Sequence, residues 1–186
     1  MKQLVLAILT FATFTTTMKA QKKQVRASES NVVWKGYKLG GSHQGTIAIK
    51  SGTLEFKDNM LTGGTFVMDM TTIGSTDLSG EDKDKLDGHL KSDDFFGVAT
   101  YSTADMVFTK VSATGKNAYE VTGSLTIKGT THSITFDLSV YGNKATASLK
   151  IDRSKYNVRY GSASFFDNLK DNVIYDEFDI VADLQF

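Results

Sequence analysis

Apolar and polar residues alternate with a period of two through most of this 186-residue chain, and this alternation constrains the fold more than any other feature. Such an alternation is typical of a β-strand that buries one face and exposes the other. About eight or nine runs separated by turn residues favour a β-barrel or a β-sandwich. The runs are residues 32–38, 45–50, 52–57, 63–70, 106–111, 119–129, 132–142, 144–152 and 177–186.

The short connections between these runs carry the residues that hairpin turns require. Residues 57–60, 113–118 and 141–144 each place Gly, Asn or Asp between two alternating runs. These residue types tolerate the left-handed backbone of tight turns. The sequence also has no proline, a residue that deletes hydrogen bonds within a sheet. Long antiparallel strands in an up-and-down order are therefore predicted.

The first twenty residues have the layout of a secretory signal peptide. A lysine precedes an apolar run that is too short to span a bilayer, and small and hydroxyl residues follow it. We predict cleavage after Ala20, a loose polar leader over residues 21–29, and one domain over residues 21–186. No later apolar run approaches the roughly 20 residues of a membrane helix, so we expect a soluble mature chain.

Composition and spacing argue against several classes of function. The chain has no cysteine, which excludes disulfides and thiolate metal sites, and its formal net charge of zero gives no reason to expect nucleic acid. His43, His89 and His132 are far apart in the sequence, whereas zinc ligands usually come in close pairs. No nucleophile or paired-carboxylate motif is visible. We therefore predict no metal site, no catalytic residue and no enzymatic activity.

Two segments break the alternation. Residues 79–90 begin with a Ser-x-x-Asp capping pattern and place Leu90 on a small apolar face, which predicts a short helix. Residues 162–170 are also mostly polar but contain Phe165 and Phe166. Both segments have the composition expected of a cap across the end of a barrel.

Phe95 and Phe96 come shortly after the first of these segments and would close one end of the barrel. They are either a permanent plug or a gate for a ligand. We favour the gate, because a charged helix that contains glycine is a poor permanent lid and because gates tend to have few buried contacts.

Five stretches of the sequence together resemble the YceI-like family, over about residues 31–186. The resemblance implies an all-β fold: an eight-stranded antiparallel lipocalin-like barrel with one or two short capping helices. It also implies export to the periplasm and an elongated interior for polyisoprenoids, isoprenoid quinones or fatty amides. The positions that match the family pattern are His43, His89, Leu90, Phe95, Phe96, Thr126, Gly129, Asp152 and Arg153. The stretches are "WKGYKLGGSHQGTIAIKSGTLEF", "HLKSDDFF", "GSLTIKGTTHSITFDLSV", "IDRSKYNVRYG" and "DEFDIVADLQF".

The apolar positions of the alternation either fill a core or line a ligand tunnel, and the resemblance favours the tunnel. His43, His89, Arg153 and Arg159 are candidate head-group contacts, although Asp152 and Arg153 also suit a structural ion pair or an anchor at a strand end. The candidate lipid-binding residues are Trp34, Phe66, Met68, Met70, Leu90, Phe95, Phe96, Phe108, Leu125, Ile127, Phe136, Leu138, Leu149, Phe165 and Phe166.

The sequence thus predicts a periplasmic carrier of a long-chain isoprenoid or similar lipid, with a secreted protein as the second choice of location. We expect the protein to require no cofactor, and an isoprenoid quinone or a polyprenyl lipid is the candidate bound molecule. Nucleic acid is not an expected partner, transient membrane contact stays open, and the oligomeric state is not predicted. The alternatives are a filled barrel that serves in stress or interaction, and an enzyme that acts on such a lipid.

Overall fold

The computed structural model describes residues 20–186, so the predicted signal peptide lies, except for Ala20, outside the described residues. The described part contains nine β-strands, one α-helix and three short 3₁₀ helices. The strands are β1 (Ala20–Gln24), β2 (Asn31–Lys38), β3 (Gly41–Lys57), β4 (Met60–Ser75), β5 (Thr103–Gly115), β6 (Ala118–Ile127), β7 (Thr130–Tyr141), β8 (Lys144–Asp152) and β9 (Ile174–Gln185). The helix is α1 (Gly80–Lys91), and the 3₁₀ helices are Ala27–Glu29, Arg153–Tyr156 and Lys170–Asn172.

Strands β2 to β9 form a closed antiparallel barrel. Each strand pairs with its neighbour in sequence, and β9 returns to pair with β2, with Trp34 opposite Ile180. The turn between β3 and β4 has left-handed backbone at Asp58 and Asn59 (φ 50° and 65°), as its composition predicts. The predicted eight-stranded up-and-down barrel is therefore confirmed.

The ninth strand, β1, corrects the expectation of a loose leader. Residues Ala20–Gln24 pair antiparallel with Thr53–Lys57 of β3, and Val25 is buried. The cause lies in the length of β3, since β2 pairs with β3 only as far as Thr46 and would leave the far half of one edge without partners. Backbone groups at such an edge need hydrogen bonds, and the polar residues of β1 supply them without any apolar signal in the sequence.

Helix α1 is confirmed over nearly the predicted range and is fixed to β4 by polar contacts. The carboxylate of Asp87 accepts hydrogen bonds from the N–H (2.6 Å) and hydroxyl (2.9 Å) groups of Ser75 and from Lys83 Nζ (2.6 Å). Burial raises the pKa of Asp87, but these hydrogen bonds outweigh it and hold the pKa below its ordinary value. Ser79 precedes the helix, yet its side chain makes no capping hydrogen bond, so that detail of the prediction is wrong.

At the same end of the barrel, the side chain of Arg153 links the loop after β8 to the start of β9. Its guanidinium donates to the carbonyl oxygens of Val158 and Tyr160 (both 2.9 Å), Ile174 (2.9 Å) and Tyr175 (3.1 Å). The side chain is only 2% exposed. Besides a head-group contact, the sequence offers Arg153 an ion pair with Asp152 or a role as an anchor at a strand end. The structure shows the anchor, because the Asp152 carboxylate accepts hydrogen bonds from Ser154 instead.

The second predicted cap, residues 162–170, does not form a helix across the barrel. Within this segment a turn covers residues 163–165 and most of the rest is irregular, and the N–H groups of Phe165 and Phe166 both bond to the carbonyl of Ser162 (3.2 and 3.1 Å). Asn168 has left-handed backbone (φ 66°), which no helix continues through. The barrel therefore has one capping α-helix within the described residues.

We predict that Gly45→Ala destabilises the protein strongly. A methyl group at this position would lie 1.9 Å from the carbonyl oxygen of Gly74 and 2.6 Å from the ring of Trp34. We expect a loss of about 3 kcal/mol or more in the free energy of unfolding, measured by urea denaturation. The matched control is Gly36→Ala on β2, where nothing lies within 4 Å, and it should change stability by less than about 1 kcal/mol. Equal effects in the two variants would contradict the close approach.

We also predict that Arg153→Lys lowers the free energy of unfolding by about 2 to 5 kcal/mol, because an ammonium cannot reach four carbonyls that a planar guanidinium serves together. Arg159→Lys is the matched control, since Arg159 is exposed and donates to Asn157 alone. It should cost no more than about 0.5 kcal/mol. Denaturant melts of both variants check this, and a tolerant Arg153→Lys variant would show that Arg153 is not an anchor.

Candidate functional site

An apolar cavity of about 190 Å³ occupies the interior of the barrel. All eight strands of the closed barrel contribute side chains to its wall, because each strand turns every second residue inward. Leu90 at the end of α1 and the nearby Phe95 and Phe96 complete the wall at the capped end. The arrangement suits an apolar molecule, since the wall offers large hydrophobic surfaces and few polar groups.

The structure brings most of the predicted lipid-binding residues together around this one cavity. Those in the wall are Trp34, Phe66, Met68, Met70, Leu90, Phe95, Phe96, Phe108, Leu125, Ile127, Phe136, Leu138 and Leu149. The sequence reasoning missed Met106, Ile151 and Phe178, which also line the cavity. The alternation that identified Phe108 and Leu149 extends to Met106 and Ile151, so the signal for these two was present.

Phe165 and Phe166 do not line the cavity, which corrects their predicted placement. The two side chains are 39% and 48% exposed on the loop between β8 and β9. The guanidinium of Arg159 lies over the ring of Phe165, 4.9 Å from its centroid. Because residues 162–170 do not form a helix across the barrel, nothing carries these rings over the interior.

Phe95 and Phe96 are packed more tightly than a loosely held gate would be. Both side chains are only 7% exposed, and their rings meet edge to face with centroids 5.0 Å apart. The guanidinium of Arg153 lies 5.4 Å from the centroid of Phe95, and Lys128 Nζ donates to the carbonyl of Phe95 at 2.8 Å. The sparse contacts expected of a gate are therefore absent at these two residues.

The four candidate head-group residues do not form one site. His43 lies near Asp77, with Nδ1 and Oδ2 3.1 Å apart, while Arg159 is exposed on the loop after β8. His89 packs edge to face on Tyr160, and burial lowers its pKa. Arg153 does line the cavity, but its donors are occupied by the carbonyls that it anchors.

Residues 20–186 contain neither a metal-binding cluster of side chains nor a long apolar helix. No group of three or more His, Asp or Glu side chains in this range is placed to hold a metal ion. Within the same range, no helix has the length and apolar character needed to cross a bilayer.

Known proteins similar to this chain share its barrel. The crystal structure of BcnA from Burkholderia cenocepacia superposes with a TM-score of 0.68 at 24% identity, covering 86% of this chain and 98% of that one. A polyisoprenoid binding domain from Saccharophagus degradans, implicated in plant cell wall breakdown, superposes with a TM-score of 0.60 at 18% identity, covering 89% and 97% of the two chains. At these identities the likeness concerns the fold.

Sequence relatives give the family. A UPF0312 protein from Staphylococcus epidermidis is 30% identical over 131 residues, which span 60% of this chain and 71% of that protein. A UPF0312 protein from Pseudomonas fluorescens is 41% identical over 56 residues, or 30% of this chain and 29% of the relative. The family model for the YceI-like domain matches residues 23–186. This chain therefore belongs to the YceI-like domain family.

Proposed function

We propose that this protein is a periplasmic binding or carrier protein that holds the tail of a long-chain isoprenoid or similar lipid inside the barrel. The observation that carries the proposal is the apolar cavity to which every strand of the closed barrel contributes. The related barrel from Saccharophagus degradans, a polyisoprenoid binding domain, supports the class of ligand. The proposal involves no catalytic step and no metal.

The energetics of such a site favour the tail over the head group. Burying one methylene contributes roughly 0.8 kcal/mol, so about ten buried carbons contribute roughly 8 kcal/mol before ordering costs. An exposed ion pair with a head group contributes roughly 0 to 1 kcal/mol. Affinity should therefore follow the length of the tail.

The size of the cavity sets a condition on this proposal. About 190 Å³ is close to the roughly 150 Å³ of an engineered apolar cavity that admits one benzene. A longer tail has to displace side chains of the wall. Met68, Met70 and Met106 are in that wall, and methionine side chains repack more easily than rings or branched chains.

A filled barrel that serves in stress protection or protein interaction is the second candidate. The observation in its favour is the row of aromatic rings across the interior, where Phe108 contacts both Phe66 (5.6 Å between centroids) and Phe136 (5.7 Å). These rings already occupy space that a tail would need. Extraction of the purified protein with organic solvent, followed by mass spectrometry, separates the two candidates, because only the carrier should yield a stoichiometric lipid.

We predict that affinity rises with tail length and is insensitive to salt. Trp34 is the single tryptophan of the chain and lines the cavity, so its fluorescence reports binding directly. Titration with farnesol, geranylgeraniol and solanesol, at low and at high salt, gives the dissociation constants. Ala147→Leu should weaken binding at least tenfold because Ala147 lines the cavity, whereas the exposed neighbour Thr146→Leu should not. Equal affinities for all three alcohols would contradict the carrier.

We predict that the protein is exported and cut near Ala20. The charged start and short apolar run of the first twenty residues motivate this expectation. The intact mass of the protein recovered from the periplasmic fraction measures the cleavage point. Recovery of the full-length chain from the cytoplasm would refute it.

A further inference from the structure

The pairing of β2 with β9 is interrupted near the capped end of the barrel. Gly36 lies opposite Phe178, but Lys38 lies opposite Ile174, so Tyr37 faces the three residues Tyr175–Glu177 of β9. Extra residues on one strand disrupt the local ladder and bend that strand away from its partner. The regular ladder of backbone hydrogen bonds between β2 and β9 is therefore interrupted at this point of the barrel wall.

A second cavity of about 370 Å³ lies at this bulge, and we call it the outer cavity. Its polar wall includes Tyr37, Lys150, Asp176 and Glu177. Ile174 and Tyr175 line both the outer cavity and the apolar interior. Tyr175 is 49% exposed, so the two cavities share wall residues at the protein surface.

Lys150, the cation in the wall of the outer cavity, is already paired with carboxylates. Lys150 Nζ lies 3.2 Å from Asp179 and 3.5 Å from Glu177, and Asp179 also accepts a 2.6 Å hydrogen bond from the hydroxyl of Tyr37. Because of its bonds to Tyr37 and Lys150, Asp179 has a pKa below its ordinary value and stays ionised at neutral pH. The lining itself carries one ammonium and two carboxylates.

Asp176 adds to this wall a carboxylate oxygen that faces Arg153 but accepts no hydrogen bond from a described residue. Its Oδ2 accepts a hydrogen bond from the hydroxyl of Ser164 at 2.6 Å. Its Oδ1 is 3.4 Å from Arg153 Nη2, is removed from solvent, and receives no hydrogen bond from any described residue. Buried acceptors of this kind gain from a donor, since an unsatisfied one is costly.

We propose that the outer cavity binds the head group of the lipid whose tail lies in the interior, and that this head group is an uncharged hydrogen-bond donor, such as an alcohol or a primary amide. A phosphate would meet surplus carboxylates and no unpaired cation among the described residues of the wall. A hydroxyl or amide N–H can donate to a carboxylate oxygen there. The inference rests on the proposed function and narrows its ligand to neutral lipids.

This site differs from the head-group contacts that the sequence predicts. Those contacts favour an anion, because a guanidinium suits phosphate, and Arg153 is the only one of the four in the wall of the interior cavity. Its guanidinium, however, donates to the backbone carbonyls of Tyr160, Ile174 and Tyr175. Arg153 thus holds Ile174 and Tyr175 in place without a free donor pair for a phosphate.

The direct test compares two molecules with one tail. Geranylgeraniol and geranylgeranyl phosphate are titrated below their aggregation limits, with Trp34 fluorescence as the readout. We expect the alcohol to bind at least tenfold more tightly at low salt, with the difference shrinking at high salt because salt screens repulsion by the carboxylates. Equal or tighter binding of the phosphate overturns the head-group inference while leaving the carrier intact. If neither molecule binds, the proposed function fails and the inference with it.

A charge reversal locates the effect. Glu177→Lys places a cation in the outer cavity and should reduce the preference for the alcohol at least threefold. Glu120→Lys makes the same change at an exposed position of β6, three strands from β9 in the barrel, and should leave the preference unchanged. Equal shifts in both variants would mean that overall charge, and not the outer cavity, sets the preference, which overturns the assignment.

Discussion

The pairing of β9 with β2 is the contact on which the rest of the structure depends. It joins the two ends of an eight-stranded meander, so that strands from opposite ends of the domain, such as β2 with Trp34 and β9 with Ile180, become neighbours. Closure pairs most of the backbone of β2 with β9 and so covers the two edges that an open sheet would expose. It also turns one face of every strand toward a shared interior. The apolar cavity is thus a consequence of closure and not a separate feature.

Closure leaves the two ends of the barrel uncovered by strand side chains, so loops and helices held by other contacts must cover them. At one end these contacts are largely polar: Asp87 fixes α1 to β4, and the guanidinium of Arg153 collects carbonyls from the loop after β8 and from the start of β9. Burial of a lone cation is costly, and burial lowers the pKa of Arg153 although Asp176 opposes this. Four carbonyl acceptors and one carboxylate offset that cost and hold irregular backbone in a defined position.

Features set by period-two alternation could be predicted from the sequence, whereas features set by distant pairing could not. Residues such as Phe136 and Leu138 could be placed in the interior because every second residue of a strand shares a face. Strand β1 could not be predicted, since it is polar. It pairs with the part of β3 that extends beyond the end of β2. Phe165 and Phe166 resembled a cap by composition, yet the left-handed backbone at Asn168 does not continue a helix. The outer cavity had no local signal, because Tyr37 and Asp179 are 142 positions apart and meet only through closure.

For the proposed carrier role, the interior would have to reconcile two demands, a stable empty barrel and room for a tail. Aromatic contacts such as that between Phe108 and Phe136 contribute about 0.5 to 1.5 kcal/mol each beyond the area that they bury. A tail that separates one such pair recovers that energy by burying roughly two methylenes, at about 0.8 kcal/mol apiece. Displacement of one such pair therefore becomes favourable once the tail buries about two methylenes more than the existing cavity can hold. As the proposed carrier, a barrel whose interior is nearly filled without a ligand would therefore bind long tails in preference to short apolar molecules.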